Sequence, residues 1–151
     1  MTTLPVPSRG LFDGPVHRYA VDVYYEDTDA GGIVYHANYL RWYERARTDM
    51  LGLLGIDQRD ALKSGEGAYV VADISMRFFA PARLGDIVVI ESRLERLRQA
   101  SVTMHQLAIL EKTKLNEATI KVGFINPAGK PRRQPQSWRD AFAPLLSVPE
   151  R

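Results

Sequence analysis

The chain has 151 residues, 45% of them hydrophobic and 25% charged, and a formal net charge of +2; this fits one globular domain able to bury a real core and excludes a wholly disordered chain. It has no cysteine, which removes disulfides, thiolate catalysis and cysteine-based zinc sites, and so small a net charge does not point to nucleic acid as a partner. No stretch of eighteen apolar residues exists and Met1–Pro15 lacks a signal-peptide pattern, so the expectation is a cytoplasmic protein that is not integral to a membrane.

Residues 1–15 carry Pro5, Pro7, Gly10, Gly14 and Pro15 with little periodicity and read as an extended leader, with residues 16–151 as a single domain. A first strand spans about Val16 to Tyr25, where Tyr19, Val21, Val23 and Tyr25 alternate with Arg18, Ala20, Asp22 and Tyr24. A loop follows as far as Ala37, compressing Glu26, Asp27, Asp29, Gly31-Gly32 and His36 between strand and helix. The glycine pair permits a bend and a close approach to the main chain. From Asn38 to Leu54, Tyr39, Tyr43, Ala46, Met50 and Leu53 recur at helical spacing, with Asn38 placed to cap the start and Gly55 to end it. Arg41, Glu44, Arg45, Arg47 and Thr48 form the polar face and read as solvated.

A short helix is expected near Gln58–Lys63, then Gly65-Glu66-Gly67, then four strands without a long helix between them. These are Tyr69–Phe79, stopped by Ala80-Pro81, then Ile87–Leu97, Ser101–Leu110 and Leu115–Ile125, the last two joined around Lys112-Thr113-Lys114. In the first, Ala72, Ile74, Met76 and Phe78 share one face. Asn126-Pro127-Ala128-Gly129 ends the sheet, Lys130–Gln136 is basic and proline-rich, and Ser137 is placed to cap a short helix containing Trp138, Phe142, Leu145 and Leu146. One long helix between the first strand and four consecutive strands gives an α+β expectation, a five-stranded antiparallel sheet wrapped around the helix as in a hotdog domain.

Taken by residue chemistry alone, Asp29 either hydrogen-bonds the amides of its own glycine-rich turn or acts as a catalytic carboxylate. Asp27 reads as the structural member of the pair. Asp27-Thr28-Asp29-Ala30-Gly31-Gly32 mimics the opening of a calcium loop, but Gly31 stands at the third ligand position and Asn38 where a bidentate glutamate is needed, so no metal is expected. His17 and His105 read as packed or exposed residues. Tyr39, Tyr43 and Met50 read as core, with the lining of an acyl pocket as their second possibility.

The run Val23-Tyr24-Tyr25-Glu26-Asp27-Thr28-Asp29-Ala30-Gly31-Gly32-Ile33-Val34-Tyr35-His36-Ala37-Asn38-Tyr39, followed by Tyr43-Glu44-Arg45-Ala46-Arg47, closely resembles the 4-hydroxybenzoyl-CoA thioesterase family and, within it, the YbgC-type acyl-CoA thioesterases associated with the Tol-Pal system. Phe79-Ala80-Pro81-Ala82-Arg83-Leu84-Gly85-Asp86 and Leu115-Asn116-Glu117-Ala118 match as well, so the resemblance covers residues 16–135. It departs in the leader and at Arg98-Gln99-Ala100, which lacks the glycine common there.

The resemblance implies a hotdog fold, a homodimer or homotetramer, an active site at a subunit interface, and hydrolysis of acyl-CoA without a cofactor. It assigns Asp29 as nucleophile or general base, the peptide N–H of His36 as the donor that polarises the thioester carbonyl, and the His36 side chain and Tyr25 as orienting or assisting groups. Some hotdog enzymes place a catalytic carboxylate on the long helix, which keeps Glu44 in view. Lys130, Arg132 and Arg133 are either a solvated loop or contacts to coenzyme A phosphates, for which guanidinium is well suited. Two further readings accompany the enzyme: a thioesterase acting on acyl carrier protein, and a non-catalytic binding scaffold of the cell envelope machinery.

Overall fold

The computed structural model describes residues 2–146. Six strands, β1 (Leu11–Asp13), β2 (Val16–Asp22), β3 (Ala68–Phe78), β4 (Ile87–Leu97), β5 (Ser101–Leu110) and β6 (Thr113–Ile125), are interleaved with helices α1 (Asn38–Leu53), α2 (Gln58–Ser64) and α3 (Gln136–Phe142). The strands form one sheet in the order β1-β2-β4-β5-β6-β3, and every neighbouring pair is antiparallel.

Period-two burial sets the sheet's inner face. Val88, Ile90, Ser92 and Leu94 of β4, Val102, Met104, Gln106 and Ala108 of β5, and Ala118, Ile120, Val122 and Phe124 of β6 are all buried. Tyr39, Trp42, Tyr43, Ala46, Met50 and Leu51 of α1 are buried in the same apolar cluster. Four polar side chains inside it are engaged: Gln106 Nε2 donates to Ser92 Oγ at 2.8 Å and to the Tyr43 carbonyl at 3.1 Å, and the Tyr43 hydroxyl donates to Asn116, whose Nδ2 has no partner among the described residues. Such pairing is what permits polar groups to be buried. The outer face carries charge, with Arg18 bridging Glu91 at 2.8 Å and Asp13 at 2.6 Å.

Several sequence expectations need correction. The sheet has six strands, not five, because Gly14-Pro15 turns the chain back and lets Leu11–Asp13 pair with Val16–Arg18. β2 ends at Asp22, and Tyr25 lies in a short 3-10 turn, Tyr25–Asp27. Ala37, in the right-handed helical region, is the residue before α1, so Asn38 is its first helical residue and not its cap. Leu53 is 44% exposed, and Trp42 and Leu51 complete the buried stripe instead. Pro135 precedes α3, which places Ser137 inside that helix. Gly55 does end α1: with φ +79° it lets Ile56 N–H reach the Leu51 carbonyl at 2.9 Å.

The two edges of the sheet differ. β1 is three residues long, whereas β3 runs for eleven and is exposed along most of its length. Its expected buried face, Ala72, Ile74, Met76 and Phe78, is covered only in part in the single chain: Ile74 and Phe78 are 40% and 51% exposed, Ala72 is exposed at the irregularity between Val71 and Asp73, and Met76 packs on the core. A long apolar edge of this kind is what natural sheets cover or pair.

Candidate active site

Between β2 and α1 the chain closes a small loop. Thr28 and Val34 form a bridge, Asp29 N–H donates to the Ile33 carbonyl at 2.8 Å, and Gly32 N–H returns to the Asp29 carbonyl at 3.0 Å. Gly32 has φ +81°, a conformation that disfavours side-chain-bearing residues. The loop is fixed to the body by Val34 N–H donating to the Ala82 carbonyl at 2.9 Å, with both residues buried.

Asp29 stands at the exposed tip. Its Oδ1 accepts the Gly31 amide at 2.8 Å and lies 3.5 Å from the Ile33 amide, while Oδ2 has no hydrogen-bond partner among the described residues. Both sequence readings therefore have a structural counterpart: one oxygen orders the turn, and the other faces outward. Asp27 is used inwardly, Oδ2 accepting Tyr24 N–H at 2.8 Å and Oδ1 accepting Asn38 Nδ2 at 2.9 Å.

His36 lies at the other end of the loop, two residues before α1. Its peptide N–H has no acceptor among the described residues. Its ring packs on Tyr35, centroids 4.6 Å apart, and edge-on to Phe78 at 6.3 Å. A cavity of about 350 Å³ opens beside it, lined also by Ile33, Tyr39, Phe78, Phe79 and Pro81. This wall is mostly apolar, with an amide donor and a carboxylate on the same loop. Burial raises the Tyr39 hydroxyl's pKa, which keeps it neutral.

The structure does not gather every residue singled out in the sequence. Tyr25 is 83% exposed, and its carbonyl, not its hydroxyl, is engaged, accepting from Thr28 Oγ1 at 2.8 Å. Lys130, Arg132 and Arg133 are exposed and follow the end of β6, where Ile125 pairs with Ala68. The loop instead lies near the far end of β3, since His36 contacts Phe78. Eleven residues of strand separate these ends, about 35 Å. Arg132 Nη1 donates to the carbonyls of Gly65 and Glu66 at 3.2 and 2.6 Å, and Arg133 Nη2 to Gln99 Oε1 at 3.3 Å.

Sequence reasoning placed Phe78 on the shared face of its strand and Phe79 in the matching run to Asp86, but assigned neither to the site. Their signal was an aromatic pair directly before Ala80-Pro81, where the strand must stop.

The family model of the thioesterase superfamily matches residues 31–117, from the glycine bend through α1 and most of the sheet. The chain belongs to the thioesterase superfamily. It is 44% identical over 122 residues to the acyl-CoA thioester hydrolase YbgC of Escherichia coli, an alignment covering 80% of this chain and 90% of that protein. The acyl-CoA thioesterase YbgC of Haemophilus influenzae is 36% identical over 125 residues, 82% of this chain and 92% of the relative. The crystal structure of a probable thioesterase from Bartonella henselae superposes with a TM-score of 0.75 at 35% identity, covering 80% of this chain and 99% of that one. The superfamily's hotdog fold is the α+β arrangement described above, with one more strand than expected.

Proposed function

We propose that this protein hydrolyses acyl-CoA thioesters, with the Asp29 loop as its reactive centre. The observation that carries the reading is the pairing, on one loop, of a carboxylate oxygen and an amide N–H, two residues before a 16-residue helix, that both lack a hydrogen-bond partner among the described residues. Asp29 Oδ2 attacks the thioester carbonyl or takes a proton from an attacking water. The carbonyl oxygen, negative in the tetrahedral intermediate, accepts from His36 N–H, where the positive end of the α1 dipole also acts. Collapse of the intermediate breaks the carbon–sulfur bond and expels the coenzyme A thiolate. If Asp29 itself has attacked, water then opens the resulting aspartyl anhydride and restores the carboxylate; if Asp29 has activated water, the free acid forms directly and the abstracted proton passes to the thiolate. The His36 ring flanks this centre.

The reading further takes the protein to be at least a dimer, paired along β3. Two copies of one edge strand related by a two-fold axis run antiparallel, so the Ala68 end of one lies beside the Phe78 end of the other. That pairing covers the exposed apolar strand and carries the Lys130, Arg132 and Arg133 segment of the partner to the neighbourhood of His36 and Phe78. In this arrangement Lys130, Arg133 and the remaining Arg132 donors meet the coenzyme A phosphates in trans. A screen of acyl-CoA esters of graded length and shape, read by thiol release, tests the activity: turnover of at least one supports it, and no turnover of any supports the scaffold reading.

A further inference from the structure

His36 sits between two residues that are both tied to Asp27. The loop is a minimal hairpin in which Asp27 to Asp29 run against Ile33 to Tyr35: Tyr35 N–H donates to the Asp27 carbonyl at 2.9 Å, Thr28 bridges Val34, and Asp29 N–H donates to the Ile33 carbonyl at 2.8 Å. That ladder stops at Tyr35, one residue short of the His36 peptide. Among the described residues a single hydrogen bond joins residues 24–29 to residues 36–38, the one from Asn38 Nδ2 to Asp27 Oδ1 at 2.9 Å. The other Asp27 oxygen accepts Tyr24 N–H at 2.8 Å, so the carboxylate cannot turn away from Asn38 without breaking a second bond. Asn38 makes this contact from the first position of α1, where no side chain caps the helix. Asparagine is favoured one position earlier, as a cap, and is only a middling helix former, so helix formation does not by itself call for it here. Asp27 and Asn38 line a polar cavity of about 400 Å³ together with Arg41 and Arg45, and neither lines the cavity beside His36.

We infer that Asp27 and Asn38 are a positioning pair: without touching substrate, their hydrogen bond holds the His36 N–H in a fixed direction relative to the Asp29 carboxylate. The inference rests on the hydrolase reading proposed above. Tyr35, before His36, is fixed through its main chain, and Asn38, after it, through its side chain. Both fixings end on Asp27, two residues before Asp29, so one residue sets the carboxylate arm and the donor arm together. Without the Asn38 bond the end of the His36 peptide nearer α1 is released and the N–H can tilt. Hydrogen bonds weaken steeply with misalignment, and a donor aimed before the reaction stabilises a developing oxyanion better than one that must be brought into line. The oxyanion exists only on the way to products, so the loss falls on kcat and leaves KM in place. A role confined to stability would instead lower Tm and leave kcat of the folded protein unchanged.

The test compares three variants of the full-length protein with the parent, on its best acyl-CoA substrate, at a temperature where thermal melts show all four folded. Asn38→Ala removes the donor, and Asn38→Asp sets a carboxylate against Asp27 Oδ1. Alanine is a strong helix former and a carboxylate suits the first turn of a helix, so neither acts by unwinding α1. The third variant is the reciprocal swap, Asp27→Asn with Asn38→Asp. It restores the bond with its direction reversed: the carboxamide at position 27 donates to the carboxylate at position 38, and its oxygen still accepts Tyr24 N–H. The expected result is a fall in kcat of about tenfold in Asn38→Ala and at least as much in Asn38→Asp, with KM within about twofold of the parent. The swap should return kcat to within about threefold of the parent. Parental kcat in both single variants overturns the inference, as does a swap whose kcat stays at the single-variant level, or a rise in KM at unchanged kcat; each leaves the hydrolase reading standing. The kcat-against-KM split in Asn38→Ala decides alone should the other two variants fold poorly. A parent that turns over no acyl-CoA overturns both.

Discussion

Asn38 Nδ2 donates to Asp27 Oδ1 at 2.9 Å across eleven positions, so the first residue of α1 is tied to the acidic turn that precedes the candidate carboxylate. The second Asp27 oxygen is also occupied, by Tyr24 N–H at 2.8 Å. Asp27→Asn turns one acceptor into a donor facing a donor. Unfolding followed by circular dichroism should show a loss of about 1–2 kcal/mol, a fall in Tm of about 2–8 °C. Asp29→Asn, which keeps the turn-ordering oxygen at an exposed position, should move Tm by no more than about 2 °C.

Gly31 and Gly32 should respond differently to alanine. A Cβ on Gly31 would sit 3.2 Å from Asp29 Oδ1, tight enough to press on the carboxylate. Gly31→Ala should therefore lower kcat by roughly tenfold at nearly unchanged Tm, because small misplacements of reacting groups are costly. Gly32→Ala, at φ +81° with open space around it, should destabilise by about 1 kcal/mol through backbone strain. Paired kinetics and thermal melts on the two variants check this.

Much of this fold was legible in residue spacing. The α1 stripe and the alternation in β4, β5 and β6 are set by residues that pack on each other within one chain, so periodicity reports them. β1 has three residues and none is buried, leaving no period to detect; only the Gly14-Pro15 turn marks it. β3 has the alternation of a half-buried strand, but only Tyr69 and Met76 pack on the core, and Val70, Val71, Ile74 and Phe78 stay largely exposed. In the site, the glycine bend and Asp29 stood out by composition. The His36 N–H, without an acceptor among the described residues, was singled out only by the family resemblance, since an unpaired amide is a property of backbone direction and not of composition. Likewise the role of Asn38 depends on which way the chain enters α1, and that is fixed by Ala37.

His17 looked like an isolated histidine, yet it is fully buried and its Nε2 lies 2.7 Å from Asp49 Oδ2, 32 positions away on α1. The same oxygen accepts Gly10 N–H at 3.0 Å, so one carboxylate joins the leader, β2 and α1. Asp49→Ala leaves the buried His17 Nε2 and the half-buried Gly10 N–H without their acceptor and should cost about 2–4 kcal/mol, or about 5–15 °C in Tm. Gly10→Ala should also destabilise, because its Cβ would meet the Arg18 carbonyl at 2.4 Å. Equal melting temperatures for both variants and the parent would remove this contact from the account of stability.

The β3 edge supplies an assembly test. At micromolar concentration the parent protein should scatter light with the mass of a dimer or a larger even assembly. Ile74→Lys, placing a charge on the exposed strand, should shift it toward monomer and lower acyl-CoA turnover in parallel. An assembly that persists in this variant with full activity would place the interface elsewhere.

The central claim is that Asp29 performs the chemistry, and the most direct measurement is the turnover of Asp29→Asn on the best acyl-CoA substrate beside the parent. Asparagine keeps the size and the oxygen that accepts Gly31 N–H at 2.8 Å but removes the charge and basicity. Turnover should fall by at least about a hundredfold, with Tm and substrate affinity preserved. Hydrolysis by Asp29→Asn at the parent's rate would contradict the assignment.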